Sequence, residues 1–163
     1  MFTLEINDAA VTAALDDLAR QLGDLTRPMQ EVGEFLIKST KARFGTGAGP
    51  DGTAWAPKSE VTKAGYRARG DRVDDRPLFG PSGSLSSLIH YEATETSVRW
   101  GSPRNYAAVM QFGAAQGAFG RTSRGGPIPW GTIPARPFLG LSDTDRAGVL
   151  EIIAEYLSGA ASP

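Results

Sequence analysis

One arrangement in this sequence has the spacing of a nucleotide-binding loop: Gly47, Gly49 and Gly52 match the pattern G-x-G-x-x-G. In such a loop the glycines follow a strand and open a helix, so that the backbone can approach a pyrophosphate. Here a helical pattern comes before the glycines, and Pro50-Asp51-Gly52 has the composition of a turn. The pattern therefore does not predict a dinucleotide site, and we expect no cofactor.

Side chains that could bind a metal ion or transfer a proton are few. Asp143 and Asp145 have Asp-x-Asp spacing, but both fall in the first turn of a predicted helix, where the helix dipole favours negative charge. The single histidine, His90, lies in a predicted strand without a fixed partner. Residues 80–84, GPSGS, lack the spacing of a serine-hydrolase nucleophile elbow. We therefore expect neither a metal site nor an enzyme.

Basic side chains are concentrated in the middle of the chain, where residues 57–137 hold 11 Lys or Arg against 6 Asp or Glu. Eight of these 11 fall in two predicted loops, which contain Lys58, Lys63, Arg67, Arg69, Arg72 and Arg76, and then Arg121 and Arg124. Such loops could contact phosphate or an acidic protein neighbour, or their charges could meet the acidic helices of the same fold. No helix-turn-helix, zinc finger or stacked aromatic platform for reading nucleic-acid sequence is evident.

Aromatic residues and one proline-bracketed segment are further candidates for contact with a partner. Trp55 and Trp130 lie in loops rich in glycine and proline, whereas Trp100 is predicted to be in the core. Arg136 stands between two prolines in an extended segment that Phe138 anchors to the body. We expect this segment to pack against a neighbouring subunit, with Arg136 meeting a carboxylate there; an intramolecular pair is the alternative.

The elements that position these residues follow from periodicity and capping signals. The pattern predicts a strand at 2–6, helices at 9–22 and 26–45, a helical turn near 85–89, a hairpin of 90–94 with 96–102, a helix at 106–112 capped by Asn105, and a helix after the N-cap Ser142. Residues 45–83 and 114–131 are predicted to be extended loops, basic and rich in glycine.

These elements predict an α+β fold with a small antiparallel sheet, an N-terminal helical hairpin and a C-terminal helix. The length of 163 residues suits a single domain, residues 1–163, from which the long loops extend. Net charge is −1, cysteine is absent, and no apolar run approaches the length of a membrane span. We expect a soluble protein made in the cytosol.

Four blocks of sequence, in this order, give the chain a resemblance to a known family. They are PDGTAWAPKSEVT at 50–62, LFGPSGSLSSLI at 78–89, VRWGSPRNYAAVMQFG at 98–113 and IPARPFLGLSDTD at 133–145. The chain resembles the phage virion morphogenesis or tail-completion family of Mu-like and P2-like phages, over roughly residues 26–157. It departs from that family at Met110, where members often carry histidine, and in the charged insert at 67–75.

The resemblance implies a structural virion protein, without catalysis, at the neck where the tail joins the DNA-filled head. It also implies a ring of about six copies, with other neck, connector and tail-tube proteins as partners and genomic DNA passing through without sequence-specific contacts. The expected location is the virion, after assembly in the host cytoplasm. The side chains expected at subunit or partner interfaces are Trp55, Lys58, Arg67, Arg69, Arg121, Arg124, Trp130, Arg136 and Phe138. The alternative is a small DNA-binding protein that uses the basic loops.

Overall fold

A computed structural model describes residues 8–160, which form six helices and one pair of strands. In chain order the elements are α1 Ala9–Leu22, α2 Thr26–Thr46, α3 Glu60–Ala68, α4 Ser84–Ser87, β1 His90–Ala93, β2 Val98–Gly101, α5 Ala107–Phe112 and α6 Asp143–Ala160. This is the α+β architecture that the sequence predicts. The predicted strand at 2–6 lies outside the described residues.

Helices α1 and α2 follow their predicted bounds closely; the capping signals of α1 operate as expected, whereas α2 has Leu25 as an N-cap without a side-chain hydrogen bond and ends at Gly47. The Asp8 carboxylate accepts hydrogen bonds from the first-turn amides of α1, and Gly23 ends that helix at a φ of 74°. Asp24 accepts a 2.8 Å hydrogen bond from the Thr26 amide at the start of α2. Both helices pack on α6, so the N-terminal hairpin is closed by the C-terminal helix.

The two strands form an antiparallel hairpin whose inner face lies on α2. Tyr91 pairs with Trp100 in the register, and a Cβ atom added at Gly33 of α2 would lie 2.3 Å from the Tyr91 ring. The Trp100 indole donates a 3.2 Å hydrogen bond to Thr40 of α2. The prediction that Trp100 belongs to the core is confirmed, and α2 has a glycine where the sheet approaches its backbone most closely.

Two apolar clusters make up the core, and Trp100 packs against both. The first joins α1, α2 and α6 through buried leucine, valine, methionine and isoleucine side chains. The second surrounds Phe44 at the end of α2, whose ring lies 5.5 Å from that of Trp55 and 5.6 Å from that of Phe138. Segments that carry little regular structure are therefore held to the body by aromatic packing.

Helix α3 corrects the prediction of a continuous loop over residues 45–83. The Ser59 hydroxyl caps this helix by accepting a 3.1 Å hydrogen bond from the Thr62 amide. None of its residues is buried, and Val61 is 83% exposed. The helix has apolar residues at helical spacing, Val61, Ala64 and Ala68, but it is only nine residues long and lies in a charged segment, so the prediction missed it.

Two other helix ends test the capping predictions. The N-cap of α5 is Tyr106, without a side-chain hydrogen bond, so Asn105 does not cap this helix. Ser142 does cap α6, because its hydroxyl accepts a 3.0 Å hydrogen bond from the Asp145 amide. Among residues 8–160, no helix is long and apolar enough to cross a membrane.

Candidate functional site

The residues with catalytic or metal-binding spacing have structural roles in the fold. Asp145 is buried and forms an ion pair with Arg43 of α2, so it does not form a cation site with the exposed Asp143. Gly49 lies in a turn that Asp51 stabilises, and His90 is exposed at the edge of β1. Within residues 8–160, no group of three His, Cys, Asp or Glu side chains could hold a metal ion.

The buried Arg136 side chain links two segments of the chain by hydrogen bonds. It is 7% exposed, and its Nε and Nη2 atoms donate hydrogen bonds of 2.7 and 2.9 Å to the carbonyl oxygens of Ala56 and Pro57. Burial lowers the pKa of its guanidinium. Its partners are backbone carbonyls rather than the carboxylate that the sequence suggested, and they belong to the same chain.

Trp55 and Phe138, two other residues predicted at an interface, are also inside the fold. The Trp55 indole donates a 2.9 Å hydrogen bond to the carbonyl oxygen of Pro137, and Phe138 is fully buried. Their rings enclose Phe44 on two sides. Both side chains therefore hold the extended segment 133–139 against the body, and neither is available at the surface of this conformation.

Lys58 is likewise buried, and its side chain connects the beginning of the first basic loop to the part of that loop that follows α3. Its ammonium group donates hydrogen bonds to the carbonyl oxygens of Asp74 and Phe79, which fix the return of the chain after α3. Burial lowers the pKa of Lys58, and the nearby carboxylates of Asp74 and Asp75 oppose that shift. The loop is thus built around a buried amine.

Most other charges of this loop are paired locally. Lys63 contacts Glu60 and Asp75, Arg69 contacts Asp71, and Arg76 contacts Asp74. The basic loop meets acidic side chains of its own segment rather than those of the terminal helices. Among the described residues of this loop, Arg67 and Arg72 are exposed basic side chains that form no ion pair, so these two present uncompensated positive charge.

The second loop, residues 114–131, is an ordered projection that we call the arm. Ala114 and Ile133 exchange backbone hydrogen bonds at its base, of 2.9 and 2.8 Å. Farther along, Phe119 donates to Ile128 and Thr122 donates to Gly126, with the peptide bond before Pro129 in the cis form. The arm therefore has a defined backbone held by its own hydrogen bonds, unlike the flexible loop that its composition suggests.

The arm exposes large apolar side chains. Trp130 is 80% exposed, Phe119 is 56% exposed, and Ile128 is also exposed. Arg121 and Arg124 are exposed on the same projection, and the Arg121 guanidinium donates a 2.9 Å hydrogen bond to the Gly125 carbonyl. Such a combination of exposed aromatic and arginine side chains is typical of protein interfaces.

The base of the arm is fixed to the body by α5. The Gln111 side chain is buried; its amide nitrogen donates to the Leu139 carbonyl, and its oxygen accepts from the amides of Phe138 and Leu139, all at 3.0 Å. Gly113 ends α5 at a φ of 74°, where a Cβ atom would lie 2.7 Å from the Ile133 carbonyl oxygen. The arm therefore projects in a direction set by buried contacts.

A model of the phage virion morphogenesis family matches residues 6–158. The chain belongs to the phage virion morphogenesis family. It is 32% identical, over 157 residues that cover 96% of both chains, to "Mu-like prophage FluMu G protein 2" of Haemophilus influenzae. It is 28% identical to "Putative capsid assembly protein G" of Escherichia phage Mu, over 92% of this chain and 90% of that protein. No solved structure matches the chain significantly.

Family membership confirms the resemblance and gives the chain a structural part in building the phage particle. Within this family member, the predicted interface residues separate into two groups. Trp55, Lys58, Arg136 and Phe138 are buried in the fold, whereas Arg67, Arg69, Arg121, Arg124 and Trp130 are exposed. Phe119, Ile128 and Gln111 are not among the residues that the sequence patterns indicate. An aromatic residue between glycines was the available signal for Phe119, but nothing local in the sequence distinguished Gln111.

Proposed function

We propose that the protein is a neck subunit that completes the tail and joins it to the head, acting as a ring of about six copies through which DNA passes. Membership of the virion morphogenesis family supports a part in assembly. The observation that carries the finer proposal is the arm, a segment held by its own backbone hydrogen bonds, whose exposed Trp130 and Phe119 are suited to contact other subunits.

A ring subunit needs a stable body and a separate surface for its neighbours. Here the body is closed by two apolar clusters, and the buried residues at the base of the arm connect the two parts. Since the backbone of the arm is already held by its own hydrogen bonds, its contacts should retain more of their free energy on binding than those of a loop that must first become ordered. Other neck, connector and tail-tube proteins are the proposed further partners, and the virion is the proposed location.

The experiment that tests the proposal is electron microscopy of lysates from a phage that lacks this gene, with and without the protein supplied from a plasmid. DNA-filled heads beside unattached or overlong tails, rescued by the plasmid, are the expected result. Normal, fully joined particles without the gene would contradict it. A plasmid encoding an early-terminated chain is the matched control for the effect of expression.

Binding to DNA through the first basic loop is the weaker alternative, because ion pairs within that loop compensate most of its charge. Only Arg67 and Arg72 of this loop remain for phosphate contacts among the described residues. With two phosphate contacts, we expect weak binding whose affinity falls only about 12-fold between roughly 50 and 200 mM salt. Fluorescence anisotropy with a labelled duplex measures it, and tight binding at physiological salt would favour the DNA-binding alternative.

A further inference from the structure

We propose that the arm of one copy docks on the outer side of helices α1 and α6 of a second copy, in a head-to-tail arrangement. This inference rests on the proposed function, since it assigns the contact from which the ring is built. The arm and the two helices are different surfaces of the same chain, so the contact is heterologous and can be repeated from copy to copy until a ring closes.

The surface of the arm combines exposed apolar and basic side chains. Phe119, Ile128 and Trp130 leave apolar area in water although the surrounding backbone is ordered. Burying an aromatic side chain of this kind at an interface is favourable, and tryptophan is among the residues that most often dominate binding. The arm is therefore suited to a protein surface that offers apolar area together with acidic side chains.

The charges of the arm and of the outer side of α1 and α6 are complementary. Residues 114–131 contain two arginines and no acidic residue, so the arm is purely basic. Helices α1 and α6 pack on each other and expose acidic side chains, with small alanines on the same exposed sides. These exposed residues are Ala9, Ala13, Asp16 and Asp17 of α1, and Ala147, Glu151, Ala154 and Glu155 of α6.

These acidic side chains are available to a neighbour. Among the described residues, Asp16, Glu151 and Glu155 form no ion pair, whereas Asp17 is held by Arg20. The alanines between them leave room for large side chains to approach the helix backbones. A second copy thus supplies both properties that the arm requires, and electrostatic attraction would orient the encounter.

The first test replaces the aromatic residues of the arm. Trp130→Ser together with Phe119→Ser should raise the dissociation constant of the oligomer at least about 30-fold, the equivalent of ~2 kcal/mol at 1.4 kcal/mol per tenfold. Val61→Ser, an equally exposed apolar residue outside the arm, is the control and should leave association unchanged. Native mass spectrometry over a concentration series measures the oligomer, and circular dichroism confirms that each variant is folded.

The second test exchanges the charges. Arg121→Glu with Arg124→Glu should weaken association, and so should Glu151→Lys with Glu155→Lys. A chain carrying all four substitutions should recover association, because the reversed arm again meets a reversed surface. The proposal would be overturned if the variant with all four substitutions stays dissociated. It would also be overturned if a variant of the arm associates like the wild type, or if the wild-type protein is monomeric over the whole concentration series.

Complementation of the phage that lacks this gene distinguishes failure of the docking contact from failure of the proposed function. If the gene is required for joined particles and the variant with both aromatic replacements restores them fully, the docking contact is wrong and the neck function stands. If particles form normally without the gene, the neck function is wrong, and the association measurements alone decide the docking contact. Failure of the variant, with rescue by the control Val61→Ser, supports both.

Discussion

Replacing Asp145 by alanine should destabilise the fold more than any other single carboxylate replacement in α6. Asp145 is 2% exposed, and its side chain receives hydrogen bonds from the Ser39 hydroxyl, the Arg43 guanidinium and the Ser142 amide. The same guanidinium donates to the carbonyl oxygens of Phe138 and Gly140 at 2.9 and 3.0 Å. One carboxylate thus links α2, α6 and the segment that leads to the arm.

The magnitude follows from what the substitution leaves behind. Removing one partner of a buried ion pair costs about 3–5 kcal/mol, because the other charge remains buried without compensation. Two carbonyl acceptors still stabilise Arg43, so we take the lower end, about 3 kcal/mol. Loss of the cap on the Ser142 amide adds about 1 kcal/mol. The sum of about 4 kcal/mol corresponds to a fall in melting temperature of roughly 8–16 °C for a domain of this size.

Urea denaturation, followed by tryptophan fluorescence, measures this change in the free energy of unfolding. Asp143→Ala is the matched control, since Asp143 is an exposed aspartate in the same helical turn and should change stability by less than about 1 kcal/mol. Asp145→Asn keeps the shape and one acceptor and should fall between the two. An Asp145→Ala variant that loses less than about 1 kcal/mol would refute the role assigned to the ion pair.

The pH dependence of stability gives an independent test of the same contact. Burial acts to raise the pKa of Asp145, but the hydrogen bonds from Ser39 and Ser142 and the charge of Arg43 outweigh it, so the pKa is lowered. A lowered pKa in the folded state means that the stabilisation is complete above the unfolded value of about 3.9 and is lost as the pH falls through the folded value. Asp145→Ala should remove this part of the acid dependence, whereas Asp143→Ala should not.

Three further substitutions test other parts of the structure. Arg136→Ala should lower the free energy of unfolding by about 2–4 kcal/mol, because two carbonyl acceptors lose their buried donor. Chemical denaturation checks this against Arg124→Ala, an exposed arm residue, and equal stabilities of the two variants would contradict the fold-stabilising role of Arg136. Gly113→Ala should cost at least about 2 kcal/mol in a thermal melt, since it combines a positive φ with a backbone clash. Gly33→Ala should lower the free energy of unfolding by about 1–3 kcal/mol, because the added Cβ overlaps the Tyr91 ring. Tyr91→Leu should reduce that loss in a double-mutant cycle. Additive effects would show that the two residues do not touch.

The elements that the sequence predicts correctly are those with two agreeing signals. Helix α1 has an apolar stripe, an N-cap aspartate and a closing glycine, and its predicted bounds are confirmed. The hairpin has alternating residues whose inner face contains Trp100. Helix α3 has a capping serine but no buried face, and it is a short helix in a charged segment, so the prediction missed it although the local signal at Ser59 was present.

The site was harder to predict because exposure depends on contacts that are distant in sequence. Trp55 and Arg136 are far apart in the chain, and their burial results from the packing of residues 55–58 against the segment around Pro137. Composition suggested that both loops are flexible. It could not show that Lys58 turns inward to backbone carbonyls or that the arm closes through its own hydrogen bonds.

The two ends of the arm meet at the bridge between Ala114 and Ile133, and this has a consequence for how the protein can diverge. Because the chain leaves and re-enters the body at almost the same point, residues between these ends can change in length or sequence without altering the packing of the helices. Under the proposed docking, the arm that contacts the neighbouring copy and the helical body that keeps the chain folded are then subject to separate selection. A change confined to residues 114–131 would alter the proposed contact surface alone.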